Sequence, residues 1–334
     1  MDIAVVVALV MFIGAFFLLF IGTPISISIG LSSFLAMALI LPFDGAILTS
    51  AQRAFVGLDS FALLAIPFFI LAGNLMNNGG IAIRLINCAK MLSSFLPGSL
   101  AQTNVVANMM FGSISGSAVA AAVAVGGTMA PMQKKAGYDP AYSAAINVTS
   151  CISGLLIPPS NVLIIYALTA GGISVATLFM AGYVPGILMG LSIMVMGTLI
   201  ARRRGYPVSE RPTLAIVLKS FWDALPSLML VVVVMGGILG GVFTATEASA
   251  IAVVYTFILS VVVYRQVKLA DLPRILLDSV ITTAIVLLLI GISVGMSWAM
   301  TNADIPYMIS DTLMGISENP MVILLLINIV LLIR

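Results

Sequence analysis

The chain has no histidine among its 334 residues, only two cysteines, and just 8% charged side chains. Without histidine there are no imidazole metal sites, no Ser-His-Asp triad and no histidine proton relay. Cys88 and Cys151 are too few and too far apart in sequence for a disulfide framework or a thiolate zinc site, and read as small buried apolar side chains. So little charge excludes an ordinary soluble domain, where about 25% of residues are charged. The charges present give a net +2 and fall in short clusters between apolar stretches, which leaves no basic face for nucleic acid. What the chain has in excess is apolar sequence, 61% of it. The composition is that of an all-α polytopic membrane protein. Ile3–Gly22 lacks a basic leader and a small-residue cleavage site, so it reads as a retained span.

A spanning helix needs roughly 20 apolar residues. Candidate spans are 3–21, 25–41, 61–76, 142–157, 162–168 continuing past Gly171-Gly172, 178–201, 225–243, 248–264, 279–300 and 321–333. Arg202-Arg203-Arg204 with Arg211 and Lys219 form one basic cluster, and Arg265, Lys268 and Arg274 a second. Two spans separate them, so both fall on one side, which the positive-inside rule makes cytoplasmic.

Two polar breaks interrupt this apolar background: Gly112–Ser117 and Gly154–Asn161. Backbone that leaves its helical hydrogen bonds in lipid is tolerated only where protein or a water-filled cavity surrounds it. No charge occurs between Met91 and Gln133, too long a stretch for one span. It fits a re-entrant hairpin turning at Gly112–Ser117, with the small residues of Ala118–Ala130 allowing close packing. The alternative is two ordinary spans with a turn in water. At the turn, Ser113, Ser115 and Ser117 add hydroxyls to freed carbonyls, oxygen ligands that suit a hard cation. A helix starting near Ser117 points its N–H groups at the same place, which suits a carboxylate. Serines that merely satisfy a packed turn are the alternative. At the second break, Pro158-Pro159 supplies no N–H, so the carbonyls around Gly154 and Leu155 lose their helical partners. Ser160 and Asn161 then restart a helix as caps. An ion between the two breaks would satisfy both; a plain proline kink is the other reading.

Glu247 is the sole charge between Asp223 and Arg265. It follows Thr244-Ala245-Thr246, a helix start where a first-turn carboxylate has a structural role. Asp304 reads as a solvated loop acid, Lys134–Pro140 as a solvated loop closing the hairpin, and Trp222 and Trp298 as interfacial anchors or packing. Two echoes, Ile21–Pro24 with Val242–Ala245 and Met76–Ile81 with Met300–Ile305, are offset by roughly 220 positions, a faint sign of two related halves.

Several motifs in order carry a family resemblance. They are Ala65–Gly73 (AIPFFILAG), the Gly-Ser turn, Leu156-Ile157-Pro158-Pro159-Ser160, Leu178–Gly182 (LFMAG) and Gly241–Ala248. Together they resemble the large membrane subunit of bacterial tripartite ATP-independent periplasmic (TRAP) transporters. Ala245 departs from the proline usual there. The resemblance implies an inner-membrane, multi-pass, non-enzymatic subunit with an inverted-repeat elevator fold, coupled to Na⁺. Its partners would be a small four-helix membrane subunit, membrane lipid and a periplasmic binding protein delivering a carboxylate solute. Ser113, Ser115, Ser117, Gly154, Ile157 and Pro159 would frame a Na⁺ site, and Ser117, Ser160 and Asn161 would lie near substrate. Ile146–Tyr166 with Gly171-Gly172 looks most like the sialic-acid branch. A C4-dicarboxylate or other sugar-acid system and a standalone Na⁺/carboxylate carrier are the alternatives. The implied organisation is scaffold helices over 1–60, a first transport core over 61–201 with hairpin 99–131 and broken helix 142–176, second scaffold helices over 202–275, and the start of a second core over 276–334. By the internal offset the second hairpin would fall after Arg334, so the chain is expected to be incomplete at its C-terminus and unable to transport alone.

Overall fold

Apolar sequence in lipid must satisfy its own backbone, and a single chain segment does so only as a helix. The computed structural model describes residues 3–170, 173–208, 212–317 and 319–332, and among these there is no strand. Gly171, Gly172, Arg211 and Arg334 lie outside the described residues. The helices are α1 (Ile3–Phe20), α2 (Ile25–Ile40), α3 (Phe43–Leu58), α4 (Ala65–Asn78), α5 (Ile81–Ser93), α6 (Ser99–Ser115), α7 (Ala118–Lys135) and α8 (Pro140–Leu156). They continue with α9 (Asn161–Ala170), α10 (Val175–Arg204), α11 (Leu214–Leu239), α12 (Ala245–Phe257), α13 (Leu272–Asn302), α14 (Ile305–Ile316) and α15 (Pro320–Leu332). Among the described residues, six helical stretches are long and apolar enough to cross a membrane, or up to eight if each of two bent pairs counts as one span. Their outer faces carry exposed Phe, Leu, Ile and Val side chains, as lipid-facing surface requires.

The boundaries depart from the apolar-run reading where charge or length misleads it. α2 has 16 residues, short of a full span. α11 begins at Leu214, not Leu225, because its first turns run on with Lys219, Trp222 and Asp223 exposed. α3, α5 and α14 were not expected as separate helices. α3 carries Asp44 and Arg53, and α5 carries Arg84 and Lys90, which break up the apolar count without breaking the helix.

Two compact units emerge. One comprises Met1–Ser60 with Ala284–Arg334. Its core gathers Val7, Met11, Met37, Ala299 and Ile305. Arg53 lies over the Trp298 ring at 5.7 Å, so that tryptophan packs against a cation. The other unit is Phe61–Thr283 and holds both breaks. Here α4 packs on α12 and α6, while α6 packs on α5, α7, α8 and α10. Thr244 and Glu247 form a reciprocal capping box at the start of α12, the structural role the sequence suggested for that carboxylate. Cys88 and Cys151 are both buried and free.

Candidate functional site

The hairpin is built from α6 and α7. It turns later than the sequence suggested: Gly112, Ser113 and Ser115 remain in the last turn of α6, and only Gly116 and Ser117 break the helix. Two contacts explain the shift. Gly112 is helical because it packs backbone-to-backbone on Gly154 of α8, where an added Cβ would come within 2.7 Å of the Gly154 Cα. Ser113 stays helical by donating its hydroxyl to the Met110 carbonyl at 2.8 Å, one turn back. The turn itself falls on Gly116, whose φ of +62° is a left-handed conformation that favours glycine. Ser117 caps α7, its Oγ accepting from the Ala120 N–H at 3.2 Å.

The second break lies between α8 and α9, which bend 49° at it. The last α8 bond runs from the Ile157 N–H to the Ser153 carbonyl at 3.3 Å. Pro158 and Pro159 carry no N–H, so the carbonyls of Gly154 and Leu155 have no helical donor four residues on. Asn161 opens α9, but Ser160 does not cap it as expected. Its Oγ has no hydrogen-bond partner although the residue is fully buried, so its hydroxyl is uncommitted. Asn161 Oδ1 is likewise buried and unpartnered. Buried polar atoms in folded chains are nearly always satisfied, which marks these two as groups awaiting a ligand or water.

The two breaks meet. A Cβ on Gly116 would lie 3.1 Å from the Asn161 backbone N and 3.2 Å from its side-chain amide. Helix α4 closes a third side, with Gly73 packed on the Ser115 carbonyl. Helix α10 backs the break from behind: a Cβ on Gly182 would strike the Leu156 carbonyl, and one on Gly186 the Ile157 side chain. The glycines of both the AIPFFILAG and the LFMAG motifs are thus close-approach positions around one centre.

Ser113, Ser115, Gly154, Pro159, Ser160 and Asn161 are buried, while Ser117 and Ile157 are partly exposed. Ser115 Oγ donates at 3.4 Å to the Ser117 carbonyl. No group of three His, Cys, Asp or Glu side chains suited to a metal occurs among the described residues. A cation here would be held by hydroxyls and carbonyls alone, a donor set for a hard ion.

A buried amide clasp below the turn escaped the sequence reading. The two N–H groups of Asn108 Nδ2 are shared among three acceptors within hydrogen-bond distance, Asn104 Oδ1 at 2.9 Å, Asn147 Oδ1 at 3.0 Å and Ser150 Oγ at 2.7 Å. Asn147 Nδ2 donates to the Ala122 carbonyl of α7 at 2.9 Å. One α8 side chain therefore grips both arms of the hairpin, with Gly126 leaving room for its amide. A helical spacing of amides inside an apolar stretch, Asn104-x-x-x-Asn108, was the available signal. The loop closing the hairpin is also less solvated than expected. Tyr138 is buried and stacks on Tyr206 at 4.2 Å, and Asp139 caps α8 while pairing with Arg204 at 2.8 Å. Burial pushes the Tyr138 hydroxyl up to about 12.

The family model described as "Tripartite ATP-independent periplasmic transporter, DctM component" matches residues 12–334. The chain is 56% identical to the uncharacterized protein YgiK of Salmonella typhimurium, over 99% of this chain and 76% of that protein. It is 39% identical to the sialic acid TRAP transporter large permease SiaM of Vibrio cholerae, over 94% of this chain and 73% of that one. It is 38% identical to the C4-dicarboxylate TRAP transporter large permease DctM of Rhodobacter capsulatus, over 93% and 73%.

Proposed function

Because the chain belongs to the DctM family of tripartite ATP-independent periplasmic transporters, as a large permease component and not an enzyme, we propose that it forms the inner-membrane path of a Na⁺-coupled importer of organic acids. The observation that carries this reading is the meeting of hairpin turn and broken helix at Gly116 and Asn161, with Ser160 Oγ and Asn161 Oδ1 of the broken helix buried and unpartnered. Oxygens of Ser113, Ser115, Ser117, Gly154, Ile157 and Pro159 frame the Na⁺, and Ser117, Ser160 and Asn161 face the solute. The N-terminus of α7 favours the solute's negative charge. Neither arm of the hairpin is among the helices able to cross a membrane, which supports a re-entrant hairpin.

A periplasmic binding protein delivers the solute, and a small membrane subunit braces this one while its core moves as an elevator. Two parallels support an inverted repeat: helices begin after Pro24 and after Thr244, and α4 and α13 end at Asn78 and Asn302. Sialic acid is the first solute to test. The nearly equal identity to the Rhodobacter permease makes C4-dicarboxylates the second. The decisive experiment is uptake of labelled sialic acid into proteoliposomes holding the full-length large subunit with its small partner, with and without binding protein and a Na⁺ gradient. Uptake requiring both supports the whole reading. Uptake without the binding protein points to a standalone carrier, and uptake indifferent to Na⁺ removes the coupling ion.

A further inference from the structure

Hydroxyls inside helices commonly return to a carbonyl three or four residues back, and Ser32, Thr256 and Ser293 of this chain do so. Ser260 does not. It is fully buried, and its Oγ donates at 3.1 Å to the Leu75 carbonyl of α4. The backbone around it explains the departure. Ile258–Val263 continues α12 as a π-helical turn, closed by the Tyr264 N–H on the Leu259 carbonyl at 2.7 Å. Such a turn holds one residue more than an α turn, which re-aims the side chains within it. The carbonyl that receives Ser260 needs a donor. Leu75 is buried and among the last four residues of α4, whose carbonyls have no partner within the helix. Gly79 makes the approach possible, since a Cβ there would overlap the Ser260 hydroxyl. Beside it, Asn74 Nδ2 donates to Ser279 Oγ of α13 at 2.8 Å.

The same stretch of α4 touches the meeting point of the two breaks. Gly73 lies two residues before Leu75, about 3 Å of helix, and an added Cβ on it would come within 3.1 Å of the Ser115 carbonyl. Three consecutive residues are therefore engaged by three elements: Gly73 by the hairpin turn, Asn74 by α13 and Leu75 by the π-helical turn. We propose that Ser260 is a positioning residue for the site at the hairpin turn. By capping the Leu75 carbonyl it holds α4 against Ser115, and so keeps the carbonyls of the turn where a cation meets them. The inference rests on the reading of that meeting point as the Na⁺ site. The element that switches is the π-helical turn, because π and α turns are discrete alternatives. In an α turn the Ser260 hydroxyl returns to the Thr256 carbonyl, and α4 loses its cap. Cation binding and the Ser260 bond thus favour the same state, and each strengthens the other.

The test is amide hydrogen exchange of the full chain in detergent, in Na⁺ and in K⁺ at equal ionic strength. At the hairpin turn the Gly116 N–H bonds to the Gly112 carbonyl, the Ala120 N–H to Ser117 Oγ and the Ala121 N–H to the Ser117 carbonyl. Ser260→Ala should speed exchange of these three amides about tenfold and leave those at the C-terminal end of α10 unchanged. Ser260→Cys, a weaker donor of similar size, should fall between. Gly79→Ala disturbs the same contact from the α4 side and should give the same pattern, which decides the matter should Ser260→Ala fail to fold. Na⁺ should slow exchange at the turn of the unsubstituted chain, and the concentration giving half that slowing should rise about tenfold in Ser260→Ala. Faster exchange confined to α4 and the π-helical turn overturns the proposal. So does equal acceleration along the whole chain, or a Na⁺ dependence that Ser260→Ala leaves unmoved. If Na⁺ has no effect on the unsubstituted chain, the Na⁺ reading falls, and the hold of Ser260 on the hairpin turn is decided by the exchange rates in K⁺ alone.

Discussion

An alanine at position 154 would drive its methyl group into the Asn108 carbonyl and to within 2.9 Å of the Gly112 Cα. Backbone cannot swing aside as a side chain can, so α6 and α8 must separate. We expect Gly154→Ala to lower stability in detergent by about 1–3 kcal/mol, as overpacking does. Thermal unfolding of the purified chain checks this, and an unchanged midpoint would mean the two helices do not touch there. Asn147→Ala removes a donor to the Ala122 carbonyl and an acceptor from Asn108. Stranding those buried groups should cost about 1–3 kcal/mol. The loss should show as faster amide exchange along α7, with α12 unaffected. Residue types alone announced the glycines and prolines of the breaks. They did not announce the amides, because an Asn in an apolar run looks the same whether it ends a helix or fastens one to its neighbour.

At the level of elements, the base of the hairpin is tied down by Asp139, which caps α8 and pairs with Arg204 at the end of α10. The Ala141 N–H, then the Arg204 guanidinium, hold the Asp139 carboxyl below its ordinary value of 3.8. The sign follows from that lowering. The unfolded chain takes up the proton first, so the tie is fully present above the unfolded pKa and is lost as pH falls through the lower, folded one. A cysteine replacing Ser143, buried in the first turns of α8, should therefore stay slow to alkylate after return from mild acid, and become reactive only in chains held below about pH 4, using an acid-tolerant reagent. Asp139→Asn should bring the same exposure at neutral pH; constant reactivity across both would sink the tie. Helix existence was legible for strongly apolar segments such as α1, α10 and α13. It was illegible for α3 and α5, where packing on one face, not overall hydropathy, holds a charged helix in place. The turn was placed too early because a serine that bonds back to its own helix and a serine in a loop are spelled alike.

For the whole molecule, the basic residues predict an orientation that can be measured. Cysteines replacing Lys135, Arg203 and Arg265 should react in intact cells only with membrane-permeant maleimide. A cysteine replacing Val242, in the turn between α11 and α12, should react with an impermeant one. The opposite pattern would invert the topology, and mixed labelling of the first three would break the positive-inside assignment. Membership of the family was legible because the motifs lie on close-packed backbone, where little can vary without a clash. The solute was not, since the chain stands about equally near permeases named for sialic acid and for C4-dicarboxylates.

Helix α10 carries Gly182 against Leu156, Gly186 against Ile157, Gly190 against Met109, Gly197 beside Gln102, and Ala201 against Gly98. These contacts run from one end of the hairpin bundle to the other. A beam bolted at five stations along its length transmits displacement and does not absorb it. Any rocking or sliding of the hairpin bundle must carry these five stations of α10 with it, and the compliance of the machine has to be sought away from those contacts.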